Sequence, residues 1–271
     1  MKRAVNLSVF GALFFMILLM LLPYLAPNGG ALFVLFYSLC FVLPAVSVRF
    51  ISAKLGNAEG GLRLFPDGEG ARLSLPLILP SIAAVIFLAN LTSYLLSFTG
   101  ASSGAGISGG VFYVFLAYAV IPAVGEELLF RYIPLKLISP YSKKAALIVS
   151  AILFSAVHAN LFQIPYALFA GLAFAFIDII SDSFMPSVLA HLLNNSLSVA
   201  FNLFAFSLGM KLILSVFAVL LVLSLFAALL YRRKYAERFR AIRSEKASIF
   251  TSEFLALIAL SLILAATSAF S

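Results

Sequence analysis

Two adjacent carboxylates and an arginine stand in an otherwise apolar run, at Glu126, Glu127 and Arg131. A charged side chain near the middle of a membrane helix costs about 2.5–3.5 kcal/mol on insertion scales, so each group needs a partner or water. Glu127 and Arg131 are four residues apart and can pair on one helix face. Glu126 points about 100° away round the axis and is left free for chemistry. Alternatively, all three charges lie at the water boundary, where Pro134 would end the helix.

The chain contains two histidines, His158 and His191, and both fall in apolar segments that we predict to be helical. A histidine in such a helix often serves only in packing or in a hydrogen bond between helices. Along the second segment, however, a polar stripe recurs at offsets of 0, 4, 7 and 11: His191, Asn195, Ser198 and Asn202. Because polar groups at membrane depth need internal partners, we expect both histidines, Asn195 and Glu126 to meet in one cavity.

A carboxylate, two imidazoles and an amide at one place suit hydrolysis by activated water. Glu126 can take a proton from water as a general base, while His158 holds that water or shuttles the proton. The charge that develops on the attacked carbonyl oxygen needs donors, and His191 and Asn195, one helical turn apart, can donate to a single oxygen. Loss of one such donor typically costs about 10²–10³ in rate.

Two other kinds of protein remain open on these residues. A zinc peptidase can use Glu126, His158 and His191 as ligands, since two histidines and a glutamate form a known catalytic set. The chain lacks the H-E-x-x-H spacing, and its single cysteine, Cys40, excludes a cysteine cluster. Intramembrane acids and histidines also mark transporters and non-catalytic scaffolds, but the sequence shows no internal repeat. We therefore expect no cofactor, with zinc as the alternative.

The composition indicates which elements must position these groups. Of 271 residues, 63% are hydrophobic and 10% are charged, which is typical of an integral membrane protein. We predict an all-α, polytopic transmembrane bundle of about eight to nine helices. The predicted helices are 5–23, 31–51, 76–98, one from 111 through the acidic motif, 145–163, 166–182, 186–208, 211–231 and 249–270.

The basic residues predict the orientation of the chain. Threading the helices alternately places every Lys and Arg except Lys211 on one side, so by the positive-inside rule the N-terminus is cytoplasmic. The net charge of +8 therefore reflects a multi-pass protein of the cell membrane rather than nucleic-acid binding. The basic segment 232–246 is interpreted as a cytoplasmic loop, with anionic lipid headgroups as an alternative partner. Asp178 and Asp182 are interpreted as a helix end in water rather than as part of the site.

Three motifs follow one another on successive predicted helices: Glu126-Glu127-x-x-x-Arg131, Phe154-x-x-x-His158 and His191-x-x-x-Asn195. In this order they resemble the CAAX prenyl protease and bacteriocin-processing family, the Rce1-type intramembrane proteases. The resemblance covers about residues 110–205 and implies an all-α, eight-helix core with a catalytic cavity facing the cytoplasm. It also implies two roles for the motif residues. Glu126 and His158 would activate water, and His191 with Asn195 would form the oxyanion site. Glu127 and Arg131 match supporting positions. Many relatives carry a Tyr and a Thr-Gly pair where this chain has residues 178–183.

The chain is accordingly divided into three regions. Residues 1–109 hold N-terminal transmembrane helices and a cytoplasmic loop, 110–205 form the catalytic core, and 206–271 hold C-terminal helices with the basic loop. We predict an endopeptidase that cleaves a membrane-associated or lipidated peptide or protein by glutamate-activated water. Prenylated CaaX tails, membrane peptides and leader sequences are all open as substrates. The lipid bilayer is the other expected partner, and nucleic acid is not expected.

Overall fold

The computed structural model describes residues 1–27, 30–99, 110–204, 219, 222–223, 226, 229–238 and 248–269. These residues are built into helices and their connections, with one isolated parallel bridge between Arg63 and Ser183. The helices are α1 (Lys2–Leu25), α2 (Gly30–Lys54), α3 (Gly68–Ser97), α4 (Val111–Ile138), α5 (Lys143–Ala156), α6 (Ile164–Ser181), α7 (Met185–Phe204) and α8 (Ser252–Ala269). Residues 229–238 are also helical. The predicted all-α architecture is confirmed for this part of the chain.

Six of the described helices are long and apolar enough to cross a bilayer: α1, α2, α3, α4, α6 and α8. The α5 helix has only 14 residues, fewer than the roughly 17 at the lower end of a membrane span. The predicted eighth helix, 211–231, lies mostly outside the described residues. A multi-pass membrane protein is therefore supported, while the full count of eight to nine helices stays a prediction.

Two predicted helix boundaries are wrong. The α3 helix begins at Gly68 rather than near residue 76, because the carboxylate of Asp67 caps it by accepting a hydrogen bond from the Gly70 N–H at 2.7 Å. The α5 helix ends at Ala156 rather than near residue 163. His158 therefore lies in the turn that follows α5, not inside a helix as predicted.

The α4 helix continues through both of its prolines. Two π-helical turns interrupt it, at Leu116–Val120 and Leu128–Tyr132, and Pro122 and Pro134 each come two positions after one of them. A π turn shifts the hydrogen-bond ladder by one residue, at the place where proline has no N–H to donate. The helix runs on to Ile138, so the alternative in which Pro134 stops it is wrong.

Close helix contacts position the elements that carry the predicted site. The α6 helix packs against α3 and α5, and α7 packs against α3, α4 and α6. A Cβ atom at Gly171 of α6 would lie 2.7 Å from the Cα of Ala151 in α5, and one at Gly125 of α4 would lie 2.5 Å from Cγ of Phe41 in α2. Small residues at membrane helix interfaces permit such approach.

The connection between α2 and α3 is bonded to two different parts of the bundle. The Gly60 N–H donates to the carbonyl of Lys136 near the end of α4 at 2.7 Å. The Arg63 N–H donates to the carbonyl of Asp182 at 3.1 Å, and the Phe184 N–H donates back to Arg63 at 2.9 Å. This connection therefore joins the end of α4 to the turn between α6 and α7.

Candidate active site

The predicted ion pair of α4 is present and fully buried. Nε of Arg131 lies 3.5 Å from Oε2 of Glu127, and neither side chain has exposed surface. Within the described ranges none of the three guanidinium nitrogens has a hydrogen-bond partner. The pairing predicted from the four-residue spacing is confirmed, and the alternative placement of these charges at the water boundary is wrong for both residues.

His191 lies between the two adjacent glutamates. Its Nδ1 is 2.7 Å from Oε1 of Glu127, and its Nε2 is 3.7 Å from Oε2 of Glu126. An ionised carboxylate only accepts hydrogen bonds, so with Glu127 ionised and paired to Arg131 the Nδ1 atom of His191 carries a proton. Nε2 is then the ring atom that faces Glu126.

Glu126 differs from its neighbour in both exposure and partners. Its side chain keeps 13% of its surface exposed, whereas that of Glu127 is enclosed. Among the described residues Glu126 has no Lys or Arg at ion-pair distance, and it contacts Nε2 of His191 at 3.7 Å. The phenols of Tyr37 in α2 and Tyr166 in α6 interact with it electrostatically. Glu126 is therefore not the carboxylate that pairs with Arg131.

His158 is held by its own turn. Its Nδ1 lies 2.7 Å from the carbonyl oxygen of Phe154, which can only accept, so Nδ1 carries the proton. In the neutral ring Nε2 then keeps a lone pair that can accept a hydrogen bond. The next residue, Ala159, has a φ of 45°, a left-handed conformation that costs about 1–2 kcal/mol for a residue with a Cβ. The backbone turn that carries the His158 imidazole therefore includes one residue in an unfavourable conformation.

The ring of Phe154 connects three predicted site residues. Its centroid lies 4.8 Å from that of His158 and 5.7 Å from that of His191, with both contacts edge to face. Cζ of Arg131 lies 3.5 Å from the same centroid. The sequence marks Phe154 only as a motif position, whereas the structure shows it to be the contact through which His158 joins the α4 and α7 residues.

Asn195 lies one helical turn beyond His191 on α7. Its Oδ1 accepts a hydrogen bond from Nδ2 of Asn194 at 3.1 Å, which leaves the Asn195 amide nitrogen to donate elsewhere. Farther along the predicted stripe, the hydroxyl of Ser198 donates to the main-chain carbonyl of Asn194 at 3.1 Å. His191 and Asn195 therefore share one face of α7. The amide nitrogen of Asn195 takes no part in its hydrogen bond with Asn194.

Asp178 corrects one interpretation of the sequence. It has no exposed surface, so a helix end in water is wrong for this residue. Its Oδ2 accepts from the Ser187 hydroxyl at 2.9 Å, and its charge acts on Glu127 and Arg131. Asp182 is half exposed and pairs with Arg63 at 3.7 Å, in agreement with the prediction. A single carboxylate inside the apolar α6 was a signal of burial, but its spacing from Asp182 favoured a solvated end.

Contacts connect five of the six predicted site residues. Direct contacts join Glu126, Glu127, Arg131 and His191, and Phe154 links His158 to them.

For the zinc alternative, both histidines direct Nδ1 toward an acceptor, an arrangement that also orients metal-binding imidazoles. In the part of the chain that the structure describes, however, no three His, Cys, Asp or Glu side chains are grouped as metal ligands. The zinc alternative, with Glu126, His158 and His191 as ligands, stays a prediction.

Two cavities lie near opposite ends of α6. One, of about 230 Å³, is lined by Ala89, Asn90, Ser93, Asn160, Phe162, Gln163 and Tyr166. The other, of about 310 Å³, is lined by Glu69, Lys143, Ile179, Asp182, Lys234, Glu237 and Arg238. Because Tyr166 also interacts with Glu126, the first cavity is the one with a described link to the site. A catalytic cavity open to the cytoplasm stays a prediction.

Comparison with known proteins supports the motif analysis. Residues 108–197 match the model of an Rce1-like family, described as type II CAAX prenyl endopeptidase Rce1-like. The matched segment contains all six predicted site residues. No curated protein and no solved structure matches the chain. The family resemblance predicted from three motifs is confirmed over this segment.

Proposed function

Because residues 108–197 match the Rce1-like type II CAAX prenyl endopeptidases, we propose that this protein is an intramembrane endopeptidase that uses water activated by Glu126. One observation carries the proposal: of two adjacent glutamates, Glu127 is neutralised by Arg131 in the interior, whereas Glu126 is partly exposed and faces Nε2 of His191. One carboxylate supports the site, and the other is available to react.

The attack begins with a water molecule beside Glu126. The carboxylate accepts a proton from this water while its oxygen attacks the carbonyl carbon of the peptide bond. His158 keeps an Nε2 lone pair when its Nδ1–H bonds the Phe154 carbonyl, so it can accept the second water proton as a hydrogen bond and hold the water in place. When the carbon–nitrogen bond breaks, Glu126 returns its proton to the leaving amine.

The oxyanion needs donors that are already in place. The Asn195 amide nitrogen is one candidate, since its Oδ1 accepts from Asn194. His191 can donate from Nε2 only when the ring carries two protons, because the Nδ1 proton is already donated to Glu127. The active form in this account therefore has a His191 imidazolium between the two glutamates.

The substrate class follows from location rather than from a described subsite. Six described helices are long and apolar enough to cross a bilayer, and from this we infer that the peptide bond belongs to a membrane-associated or lipidated protein or peptide. A prenylated CaaX tail is one candidate within this class. We place the N-terminus in the cytoplasm, following the distribution of Lys and Arg.

A cleavage assay in liposomes tests the proposal. Peptides with and without a prenylated C-terminal cysteine are offered to the wild type, Glu126→Gln and His158→Ala, each with and without a metal chelator. We expect cleavage by the wild type in chelator, loss of cleavage in Glu126→Gln and a strong reduction in His158→Ala. Loss of wild-type activity in chelator, with recovery on adding zinc, would favour the metallopeptidase instead.

A further inference from the structure

A buried hydrogen-bonded pair joins the end of α6 to the start of α7. Asp178 and Ser187 both lack exposed surface. The Ser187 hydroxyl lies 2.9 Å from Oδ2 of Asp178, and the Ser187 N–H donates to Oδ1 at 3.3 Å. The main-chain carbonyl of Asp178 also accepts from the Ser183 N–H at 3.1 Å. One aspartate therefore holds the turn through its backbone and the first turn of α7 through its side chain.

The Ser187 N–H belongs to the first turn of α7, which begins at Met185. Donors in a first helical turn have no partner within their own helix and need an outside acceptor. A carboxylate is a favourable acceptor there because the start of a helix carries partial positive charge. Asp178 supplies this cap from α6, so it fixes α7 relative to α6 as well as stabilising the start of the helix.

The anchored turn lies directly before the imidazole of the proposed site. Ser187 and His191 are four residues apart and share one face of α7. The ring of Phe174, four residues before Asp178 on α6, lies 5.8 Å from the His191 ring. Rotation of the first turn of α7 would therefore change the distances from His191 to both glutamates, which are 2.7 Å and 3.7 Å in this structure.

We propose that Asp178 is a positioning residue that holds α7 through Ser187, so that Nε2 of His191 faces Glu126. This inference rests on the proposed function of the His191 site. Asp178 contacts Ser187 rather than a reacting atom, and, besides the effect of its charge on Glu127 and Arg131, it influences the chemistry through the placement of His191. Displacement of a reacting group by about 1 Å can lower a rate by about 10²-fold, which makes such an anchor measurable in turnover.

Three variants separate the anchor from general stability. Asp178→Ala removes both acceptors, and Asp178→Asn keeps one acceptor oxygen without the charge. Ser187→Ala removes a hydroxyl that also donates to the Phe184 carbonyl at 3.0 Å and interacts with Glu127. Asp182→Asn is the control, because this half-exposed carboxylate lies near the same helix end and pairs with Arg63. All variants are compared on one membrane peptide in liposomes, and kcat is normalised to folded protein.

We expect kcat to fall about 10- to 100-fold in Asp178→Ala and less in Ser187→Ala, with KM within about twofold of wild type. Asp178→Asn should recover part of the loss, and Asp182→Asn should match the wild type. Wild-type kcat in the folded Asp178→Ala and Ser187→Ala variants would overturn the proposal. If Asp178→Ala does not fold, wild-type kcat in the folded Ser187→Ala variant would overturn the proposal.

A second readout does not depend on peptide cleavage. The chain has only two histidines, so ¹⁵N-histidine labelling gives two ring systems, and His158→Ala assigns the His191 signals. We expect these signals to shift in Ser187→Ala and Asp178→Ala and to stay unchanged in Asp182→Asn. Unchanged His191 signals in the first two variants would overturn the positioning role. If the wild type cleaves no peptide but the signals shift, the proposed function fails while the anchor stands.

Discussion

Cζ of Arg131 lies 3.5 Å from the centroid of the Phe154 ring, and the Arg131 side chain has no exposed surface. The guanidinium has no hydrogen-bond partner among the described residues, and its ion pair with Glu127 spans 3.5 Å. A cation over an aromatic face gains electrostatic energy that grows when both groups are desolvated. Phe154 of the second motif therefore stabilises the charge of Arg131 in the first motif.

Replacing this ring should therefore destabilise the protein through the cation. Phe154→Leu removes the aromatic face from Arg131, and we expect the free energy of unfolding to fall by about 2 kcal/mol beyond the loss of apolar contacts. Unfolding in detergent, followed by circular dichroism, measures the change. Phe162→Leu is the control, since this buried phenylalanine has no described cation over its ring. Equal losses in the two variants would count against the cation–π contact.

Removing the charge of Glu127 should be more damaging still. Glu127→Gln leaves Arg131 buried without a counter-ion, and breaking a buried ion pair in this way typically costs about 3–5 kcal/mol. It also changes the acceptor of the His191 Nδ1–H bond, so we expect lower kcat in whatever fraction folds. The same unfolding experiment checks the stability change. A loss below about 1 kcal/mol, which is typical of exposed pairs, would show that the pair is not buried as described.

The close approach of α5 and α6 gives a third prediction. At Gly171 an added Cβ would meet the Cα of Ala151 at 2.7 Å, and a backbone atom cannot move aside as a flexible side chain can. We expect Gly171→Ala to destabilise the protein by about 1–3 kcal/mol, the usual range for overpacking. Gly61→Ala is the matched control, because nothing lies within 4 Å of a Cβ at that position. Similar unfolding midpoints for the two variants would contradict the packing.

Local spacing was sufficient to predict part of the site. The pairing of Glu127 with Arg131 follows from helix geometry alone, and so does the placement of His191 and Asn195 on one face of α7. The different partners of Glu126 and Glu127 also follow, since only Glu127 lies four positions before the arginine. These features depend on one helix at a time, which is what a sequence pattern describes.

Features that depend on contacts between distant segments were missed. Two predicted helix boundaries were wrong, because Asp67 caps α3 and α5 ends early, at Ala156. His158 therefore lies outside the helix that was predicted to contain it. Asp178 was predicted to face water, because its burial results from contacts with the first turn of α7 that a sequence pattern does not show. Tertiary packing determines such positions, and helical periodicity in the sequence carries no information about that packing.

The connection between α2 and α3 makes stability depend on pH. The hydrogen bond from Arg49 is the main cause that lowers the pKa of Glu59 below its usual 4.5, and the charges of Arg49 and Lys136 add to it. A carboxyl with a lowered folded-state pKa stabilises the fold above its unfolded pKa, and this contribution is lost as pH falls through the folded value. The loss therefore begins as the pH falls to about 4.5, the usual glutamate value.

We expect Glu59→Gln to be less stable than the wild type at pH 7 and to lose less stability on acidification. Unfolding midpoints measured from pH 7 to pH 3 in one detergent check this difference. Because Glu59 also lies 3.7 Å from Lys136 at the end of α4, the Lys136→Gln variant should show a weaker form of the same change. Parallel pH curves for the wild type and Glu59→Gln would mean that the Arg49 contact does not form in solution.

The most direct test of the central claim is the ratio of kcat between the wild type and Glu126→Gln on one membrane peptide in the same liposomes. The glutamine keeps the size of the side chain and cannot accept a proton from water. General-base catalysis typically contributes about 10²–10⁴-fold, so we predict a loss of at least about 10²-fold with unchanged unfolding behaviour. Turnover by the folded Glu126→Gln protein at the wild-type rate would contradict the account.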